Sequence, residues 1–438
     1  MTEVVYLHVG GPKSGTTFLQ QVLETNSARL AEAGTLVVGP RLEAIHASMV
    51  VREDPRLDRL PESARGSWDR LVAQIRAWRG PAAILSYELF AGASIEQARV
   101  ALGALEGLQV HVLVTARDLG KSIPSAWQEQ LKFGLIRPLE RWQPPAESAP
   151  ESEWGWRTMQ PANVAARWGV DLPPDQVHVI TVPSHSRDNS ELWRRFAQAC
   201  GLSETSGLDL AVTRVNESLG LVEAELLRRV NKALDGRVQA GRQRSLWIRD
   251  VLAHQVLAGI GHEPIGLTPE HQELAREQAE EAITAIRAAG YRVHGDLEDL
   301  RPQAPPARLP NDVTEEELLE AAVLALADLL VWARDAGSDP RGAKEPGVRP
   351  VARPRGLAAA RGMVGATLRR AAAPVRDRRV AELEARIAEL EGQVHASRAL
   401  HLRVATLTDL VEELLLPADL RDGELTMSAV REFRQRSL

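Results

Sequence analysis

The sequence predicts an α/β fold, in which a parallel β-sheet is flanked by helices and is followed by a helical, coiled-coil extension at the C-terminus. Short runs rich in valine and isoleucine alternate with amphipathic stretches from the N-terminus to about residue 300. The runs are apolar almost without interruption, which is typical of parallel strands covered on both faces. A glycine-rich turn joins the first run to the first amphipathic stretch, and such turns often mark a ligand site in this fold class.

The apolar runs predict five strands, which cover residues 4–9, 35–38, 82–86, 109–115 and 177–182. Amphipathic periodicity predicts helices at 16–25, 62–79, 94–105, 120–132, 160–168 and 190–200. A further helix is expected at 268–290, with Thr268 capping its start and Gly290 its end. Ligands bind such sheets beyond the carboxyl ends of the strands, so polar residues at those ends are the candidates for a functional site.

Composition limits the class of protein. The chain has 438 residues, a net charge of −6 and one cysteine, Cys200, which we interpret as a packed core residue. The acidic balance argues against an overall nucleic-acid binder. The single cysteine excludes an intramolecular disulfide and fits a reducing compartment. The N-terminus leads directly into the first strand, and no apolar run approaches the roughly 20 residues of a membrane span, so we expect a cytoplasmic protein.

The segment VVYLHVGGPKSGTTF at residues 4–18 is an apolar strand, a glycine-rich turn and a helix start. The turn amides and the positive end of the helix dipole converge on one anion. Gly10 and Gly15 have the spacing of a P-loop, but Thr16 stands where the P-loop lysine belongs, and the lysine is instead Lys13. The predicted phosphate-binding loop comprises Pro12, Lys13, Ser14, Gly15, Thr16 and Thr17.

A second anion-binding segment is predicted at 110–128, VHVLVTARDLGKSIPSAWQ. Arg117 ends a strand, and Ser125 follows eight residues later on the next helix. A guanidinium group offers a bidentate fork to phosphate, and the hydroxyl adds a further donor. The alternative is that Arg117 pairs with an acid such as Asp118 and that Ser125 is a solvated helix residue.

Together the two segments resemble the 5′-phosphosulfate loop and the 3′-phosphate segment of sulfotransferases that use 3′-phosphoadenosine 5′-phosphosulfate (PAPS). The resemblance covers roughly residues 1–300. It implies a P-loop-like sheet and the transfer of a sulfonyl group from PAPS to a hydroxyl or amine without a metal, which leaves adenosine 3′,5′-bisphosphate. By this resemblance, Lys13, Gly15, Thr16 and Thr17 hold the 5′-phosphosulfate, and Arg117 and Ser125 hold the 3′-phosphate.

One element of the animal cytosolic members, Lys-Gly-x-x-Gly-Asp-Trp-Lys, is absent. The candidate replacement is TRVNESLG at 213–220, which offers Arg214, Asn216 and Ser218, although this segment is equally an ordinary loop before a helix.

In-line transfer also needs a base for the acceptor proton. Glu88 follows the strand at 82–86 and is the candidate base; the alternative is a structural carboxylate that orients Lys13 or an arginine. His46 is the second candidate, as a base or as a contact to the acceptor. His8 and His111 lie within strands and are interpreted as packed side chains.

The acceptor is expected to be a hydroxyl of a carbohydrate or glycolipid, because tryptophans in the segment 136–158 offer surfaces for sugar rings and the segment is a candidate substrate-side flap. Two other functions stay open. One is a P-loop kinase or nucleotide hydrolase; the other is a non-catalytic nucleotide-binding scaffold that oligomerises through its C-terminal segment.

The predicted organisation is a PAPS-binding domain at 1–302, a helical extension at 303–337, a basic disordered linker at 338–378, a coiled-coil helix at 379–416 and a tail at 417–438. Apolar residues spaced alternately three and four apart predict the coiled coil: Val380, Leu383, Ile387, Leu390 and Val394. A homodimer through this helix is expected. The linker is interpreted as a soluble tether, with contact to an anionic membrane surface or nucleic acid as the alternative.

Overall fold

The computed structural model describes residues 2–149, 153–184, 189–202, 207–211, 218–238, 241, 243–303 and 307–335. The predicted linker, coiled coil and tail lie outside these ranges.

One six-stranded parallel sheet forms the centre of the fold, in the order β2-β3-β1-β4-β5-β6. The strands are β1 (Val4–His8), β2 (Thr35–Val37), β3 (Ala82–Ser86), β4 (Gln109–Ala116), β5 (Val177–Thr181) and β6 (Arg292–His294). The α/β prediction is confirmed, and the five predicted strands match to within one residue. The edge strand β6 was not predicted, because it has three residues and two of them are exposed, which leaves no apolar run in the sequence.

Twelve α-helices lie within the described ranges. They are α1 (Thr16–Thr25), α2 (Ser27–Glu32), α3 (Arg41–Val51), α4 (Ser67–Ala77), α5 (Ile95–Gly103), α6 (Leu119–Lys132), α7 (Trp156–Met159), α8 (Pro161–Trp168), α9 (Ser190–Ala199), α10 (Leu221–Leu234), α11 (Pro269–Ala289) and α12 (Glu315–Asp335). A π-helical segment covers Arg244–Val256, and short 3-10 turns include Pro55–Arg59 and Glu88–Gly92. The predicted caps of α11 are both present: Thr268 Oγ1 accepts a hydrogen bond from the His271 amide at 3.2 Å, and Gly290 has a φ of 69°.

Successive residues of a strand point to opposite faces of the sheet, and both faces are buried. In β3, Ala83 and Leu85 belong to one core, whereas Ile84 belongs to the other. Helices α1 and α9 cover the face of Ile84 with side chains that include Leu19 and Phe196. Both layers leave the carboxyl ends of the strands open, and this edge is where the site is found.

Helix α12 is apolar on two sides. Leu318 and Ala321 are buried, but Leu319, Val323 and Leu330 are 67%, 60% and 64% exposed. The helix packs near α10 and the π-helical segment, where Trp332 meets Trp247 edge to face at 6.0 Å.

Four histidines lie in neighbouring strands. His111, His178 and His294 form a hydrogen-bonded row across β4, β5 and β6, with nitrogen–nitrogen distances of 2.8 and 2.9 Å. His8 in β1 is fully buried between Ser86 and Thr115, as the sequence predicted for a packed histidine. Burial lowers the pKa of His8 and, together with neighbouring positive charges, that of His178, each to about 3.

We expect the free energy of unfolding to decrease as pH falls from 6.5 towards 3. The unfolded chain protonates these imidazoles near pH 6.5, whereas the folded chain resists until about pH 3, so the unfolded state binds more protons in this window. Each buried histidine contributes up to about 1.4 kcal/mol per pH unit. Urea unfolding at pH 7.5, 6 and 5 measures the slope, which His178→Asn should reduce. A flat profile would contradict the burial of neutral imidazoles.

Candidate functional site

The loop between β1 and α1 is tightly turned. Gly10, Lys13 and Gly15 have φ values of 74°, 65° and 80°, a backbone region that L side chains seldom adopt. A methyl group on Gly10 would lie 2.6 Å from the Glu88 Cα atom, so only glycine lets the loop approach the end of β3. The loop is also tied to β4, because the Ser14 and Thr115 hydroxyls are 2.5 Å apart.

A cavity of about 1270 Å³ opens beside this loop at the carboxyl edge of the sheet. Eight residues that the sequence singled out line it: Lys13, Gly15, Thr16, Thr17, His46, Glu88, Arg117 and Ser125. Ser218 lines it as well. Pro12 and Ser14 belong to the same loop but are buried and do not line the cavity. Arg214 and Asn216 lie outside the described residues, so their assignment stays a prediction.

The second predicted segment meets the first loop directly. The Arg117 Nη1 atom donates a hydrogen bond to the Lys13 carbonyl oxygen at 2.6 Å, which links the end of β4 to the middle of the loop. Burial lowers the pKa of Arg117, although a guanidinium of this kind stays charged in proteins. The Ser125 hydroxyl donates to the Lys121 carbonyl at 2.8 Å and faces the same cavity from α6.

Glu88 begins a 3-10 turn immediately after β3, beside the glycine of the loop. The Gln20 side-chain amide on α1 donates to Glu88 Oε2 at 2.7 Å and fixes the carboxylate. His46 reaches the cavity from α3, on a different wall.

In the segment 136–158, Glu153 and Trp154 line the cavity, whereas Trp142 and Trp156 are buried in the core.

Sequence reasoning missed one charged cluster on α6. Glu129 lies between two lysines: its Oε1 atom is 2.5 Å from Lys13 Nζ and 2.8 Å from Lys132 Nζ. The Glu129 and Lys132 side chains are only 9% and 1% exposed. Burial raises the pKa of Glu129, but the two lysines outweigh it and hold the pKa at about 2. The only signal in the sequence was the three-residue spacing of Glu129 and Lys132, which is equally typical of a solvated helix face.

We expect Glu129→Gln to destabilise the protein by about 3–5 kcal/mol, because it leaves the Lys132 ammonium buried without a counter-ion. Urea unfolding at pH 7 measures the loss. The double variant Glu129→Leu, Lys132→Met is the control, since replacing both charges with apolar groups should recover most of the stability. Equal losses in the single and double variants would show that the ion pair is not the cause.

The π-helical segment supplies another wall of the cavity, with Ser245, Arg249, Asp250 and His254. Burial lowers the pKa of His254 to about 4, and the positive charge of Lys132 adds to the effect. His254 is therefore neutral at pH 7. The segment escaped sequence analysis because its side chains do not follow the 3.6-residue period of an α-helix.

Neither a membrane-length apolar helix nor a group of three or more His, Cys, Asp and Glu side chains suited to a metal ion occurs in the described ranges.

Comparisons with known proteins give three findings. Residues 383–437 match the family model of a domain of unknown function, DUF6752. Comparison with curated proteins gives no match.

Two solved structures are similar. A sulfotransferase from Alicyclobacillus acidocaldarius is 17% identical with a TM-score of 0.35, and the alignment covers 57% of this chain and 100% of that one. The sulfotransferase domain from the curacin biosynthetic pathway is 12% identical with a TM-score of 0.29, over 49% and 79% of the two chains. Both similarities are too low to assign a family or an activity.

Proposed function

We propose that the protein is a sulfotransferase that moves a sulfonyl group from PAPS to an acceptor hydroxyl. The observation that supports this most is the meeting of both sequence motifs and a carboxylate in one cavity. Lys13 and Thr16 come from the first motif, Arg117 and Ser125 from the second, and Glu88 from the 3-10 turn after β3. These groups follow three different strands, β1, β3 and β4, and only the folded sheet brings them together.

The residues present fit a donor with two anionic ends. The first turn of α1 borders the cavity, and the amides of a first helical turn have no partner within the helix, so they suit a 5′-phosphosulfate. Arg117 directly follows the neighbouring strand β4 and Ser125 lies on α6, where they suit a 3′-phosphate. The volume of about 1270 Å³ exceeds the 300–1,000 Å³ or so of a typical small-molecule pocket and leaves room for an acceptor beside the nucleotide.

In the proposed reaction, the acceptor oxygen attacks sulfur and the bond from sulfur to the bridging phosphate oxygen breaks. Glu88 accepts the acceptor proton, and Gln20 keeps the carboxylate in place through its hydrogen bond. Lys13 and the loop amides stabilise the negative charge that develops on the bridging oxygen. Adenosine 3′,5′-bisphosphate leaves. Glu129 holds the Lys13 ammonium until the donor supplies a stronger anion, since the two side chains are paired.

The acceptor in this proposal is a carbohydrate or glycolipid hydroxyl. Trp154 lines the cavity and gives one wall the flat, apolar surface on which sugar rings stack. Dimerisation through residues 379–416 and a cytoplasmic location complete the proposal and have no support beyond the sequence.

Calorimetry with adenosine 3′,5′-bisphosphate tests the proposal. We expect binding that is unchanged by Mg²⁺ or EDTA, and that Arg117→Ala weakens about 10–100-fold through the loss of charge-assisted hydrogen bonds. Arg99→Ala, which removes an exposed arginine paired with Asp171, is the control. Preference for ATP with Mg²⁺ would favour the kinase or nucleotide hydrolase instead.

A further inference from the structure

The cavity has a second wall that the donor site does not use. It is built by residues of α3 and of the 3-10 turn at Pro55–Arg59, which line the same cavity as the loop between β1 and α1. Four arginines line it: Arg41, Arg52, Arg56 and Arg59. Arg41 and Ile45 on α3 and Arg52 directly after it recur at helical spacing and border the cavity, with apolar surface between the two charges.

Two of these arginines are neutralised within the protein. The Arg52 Nη2 atom lies 3.2 Å from Asp54 and 3.1 Å from Glu153, and the Arg56 Nη2 atom lies 2.5 Å from Asp54. The Asp54 and Glu153 side chains are 7% and 14% exposed, so both carboxylates are shielded from solvent. Two arginines and two carboxylates thus form a cluster with no net charge.

The other two arginines have no such counter-charge. Among the described residues, neither Arg41 nor Arg59 has an ion pair or a hydrogen bond to a carboxylate. The neighbouring acids are already used: Glu43 pairs with Arg70 at 2.6 Å, and Asp58 pairs with Arg65 at 2.8 Å. The wall therefore carries two positive charges in excess, in a chain whose net charge is −6.

This positive wall lies close to the candidate base. Tyr87 directly precedes Glu88 and is buried. Helix α3 packs against the 3-10 turn that begins at Glu88. Burial raises the pKa of Tyr87, Glu88 raises it further, and Arg41 and Arg52 lower it, in agreement with this packing. A molecule that presents its reacting hydroxyl to Glu88 would extend along this wall.

We infer that the acceptor carries an anionic group, a carboxylate, sulfate or phosphate, which Arg41 and Arg59 bind while its hydroxyl faces Glu88. The inference rests on the proposed function. The 3′-phosphate of the donor is a less suitable occupant, because its proposed ligands Arg117 and Ser125 come from the end of β4 and from α6, and not from the wall formed by α3. An acidic sugar and a phosphorylated lipid headgroup share the required chemistry.

The test uses the full chain saturated with adenosine 3′,5′-bisphosphate and inorganic sulfate as the probe. We expect sulfate to raise the melting temperature in a saturable way beyond sodium chloride at matched ionic strength, and Arg41→Ala, Arg59→Ala to abolish the rise. The control Arg99→Ala, Arg276→Ala removes the same two charges from exposed ion pairs outside the cavity. An equal rise in the arginine variant and the control would overturn the inference.

The nucleotide titration that precedes the sulfate separates two kinds of failure. If adenosine 3′,5′-bisphosphate does not bind, the proposed function fails. If it binds but Arg41→Ala, Arg59→Ala weakens it more than about tenfold, the arginines belong to the donor site and the inference is wrong.

Incubation with ³⁵S-labelled PAPS and cell extract then measures product charge by anion exchange. We expect the main labelled product to carry at least two negative charges. Its formation should fall about 10–100-fold in the Arg41→Ala, Arg59→Ala variant, because the acceptor loses its hydrogen bonds to charged arginines. Its appearance in the aqueous or the organic extract distinguishes a sugar from a lipid. A main product with a single negative charge would contradict an anionic acceptor.

Discussion

Glu88→Gln is expected to reduce the rate of sulfonyl transfer by about 10²–10⁴-fold, the usual contribution of a positioned general base. Affinity for adenosine 3′,5′-bisphosphate should stay unchanged, because Glu88 lies at the end of β3 and not among the cationic groups that suit the phosphates. Turnover with labelled PAPS and calorimetry on the same preparation measure the two effects separately.

The local structure makes this variant informative. Gln20 donates to Glu88 through its nitrogen, while its buried Oε1 atom has no hydrogen-bond partner in the described part of the chain. A rotated Gln20 amide can therefore accept a hydrogen bond from the glutamine that replaces Glu88, and the fold should tolerate the change. The matched variant is His46→Asn, which alters the second candidate base on another wall. A large loss for His46→Asn with full activity for Glu88→Gln would reassign the base.

The sequence predicted the sheet well because its strands are apolar on both faces. Burial on two sides leaves β3 apolar from Ala82 to Leu85, with a polar residue only at its end, so the pattern is easy to recognise. The tight turn between β1 and α1 was equally readable, since Gly10 and Gly15 adopt positive φ values that few other residues tolerate. Both features are set by residues close together in the sequence, so the local pattern is enough to predict them.

The walls of the cavity were harder to predict because they depend on contacts between distant segments. Glu129 lies 116 positions from Lys13 in the sequence, yet their side chains form an ion pair in the fold. The sequence analysis did not single out the arginines of α3 and the following turn. Arg52 pairs with Asp54, whereas Glu43 near Arg41 already pairs with Arg70. These pairings can be read only from the folded structure.

Lys13→Met is expected to lower kcat by about 10²–10³-fold, comparable to the removal of one preorganised donor from a site where charge develops. Lys13 is the cation on the phosphate-binding loop itself, so in the proposed reaction it meets the oxygen that leaves sulfur. The loop backbone should persist, because Arg117 donates to the Lys13 carbonyl and not to its side chain. Single-turnover rates with saturating PAPS measure the chemical step.

Two comparisons make the Lys13→Met result specific. Lys121→Met removes a nearby lysine, whose ammonium contacts the Ser184 carbonyl at 3.4 Å, and it should retain nearly full kcat. Stability should change little in Lys13→Met, since Lys132 still pairs with Glu129 at 2.8 Å and keeps that buried carboxylate neutralised. A loss of kcat at unchanged stability then locates the effect in the transition state, because a lysine that only bound the donor would raise KM and leave kcat intact.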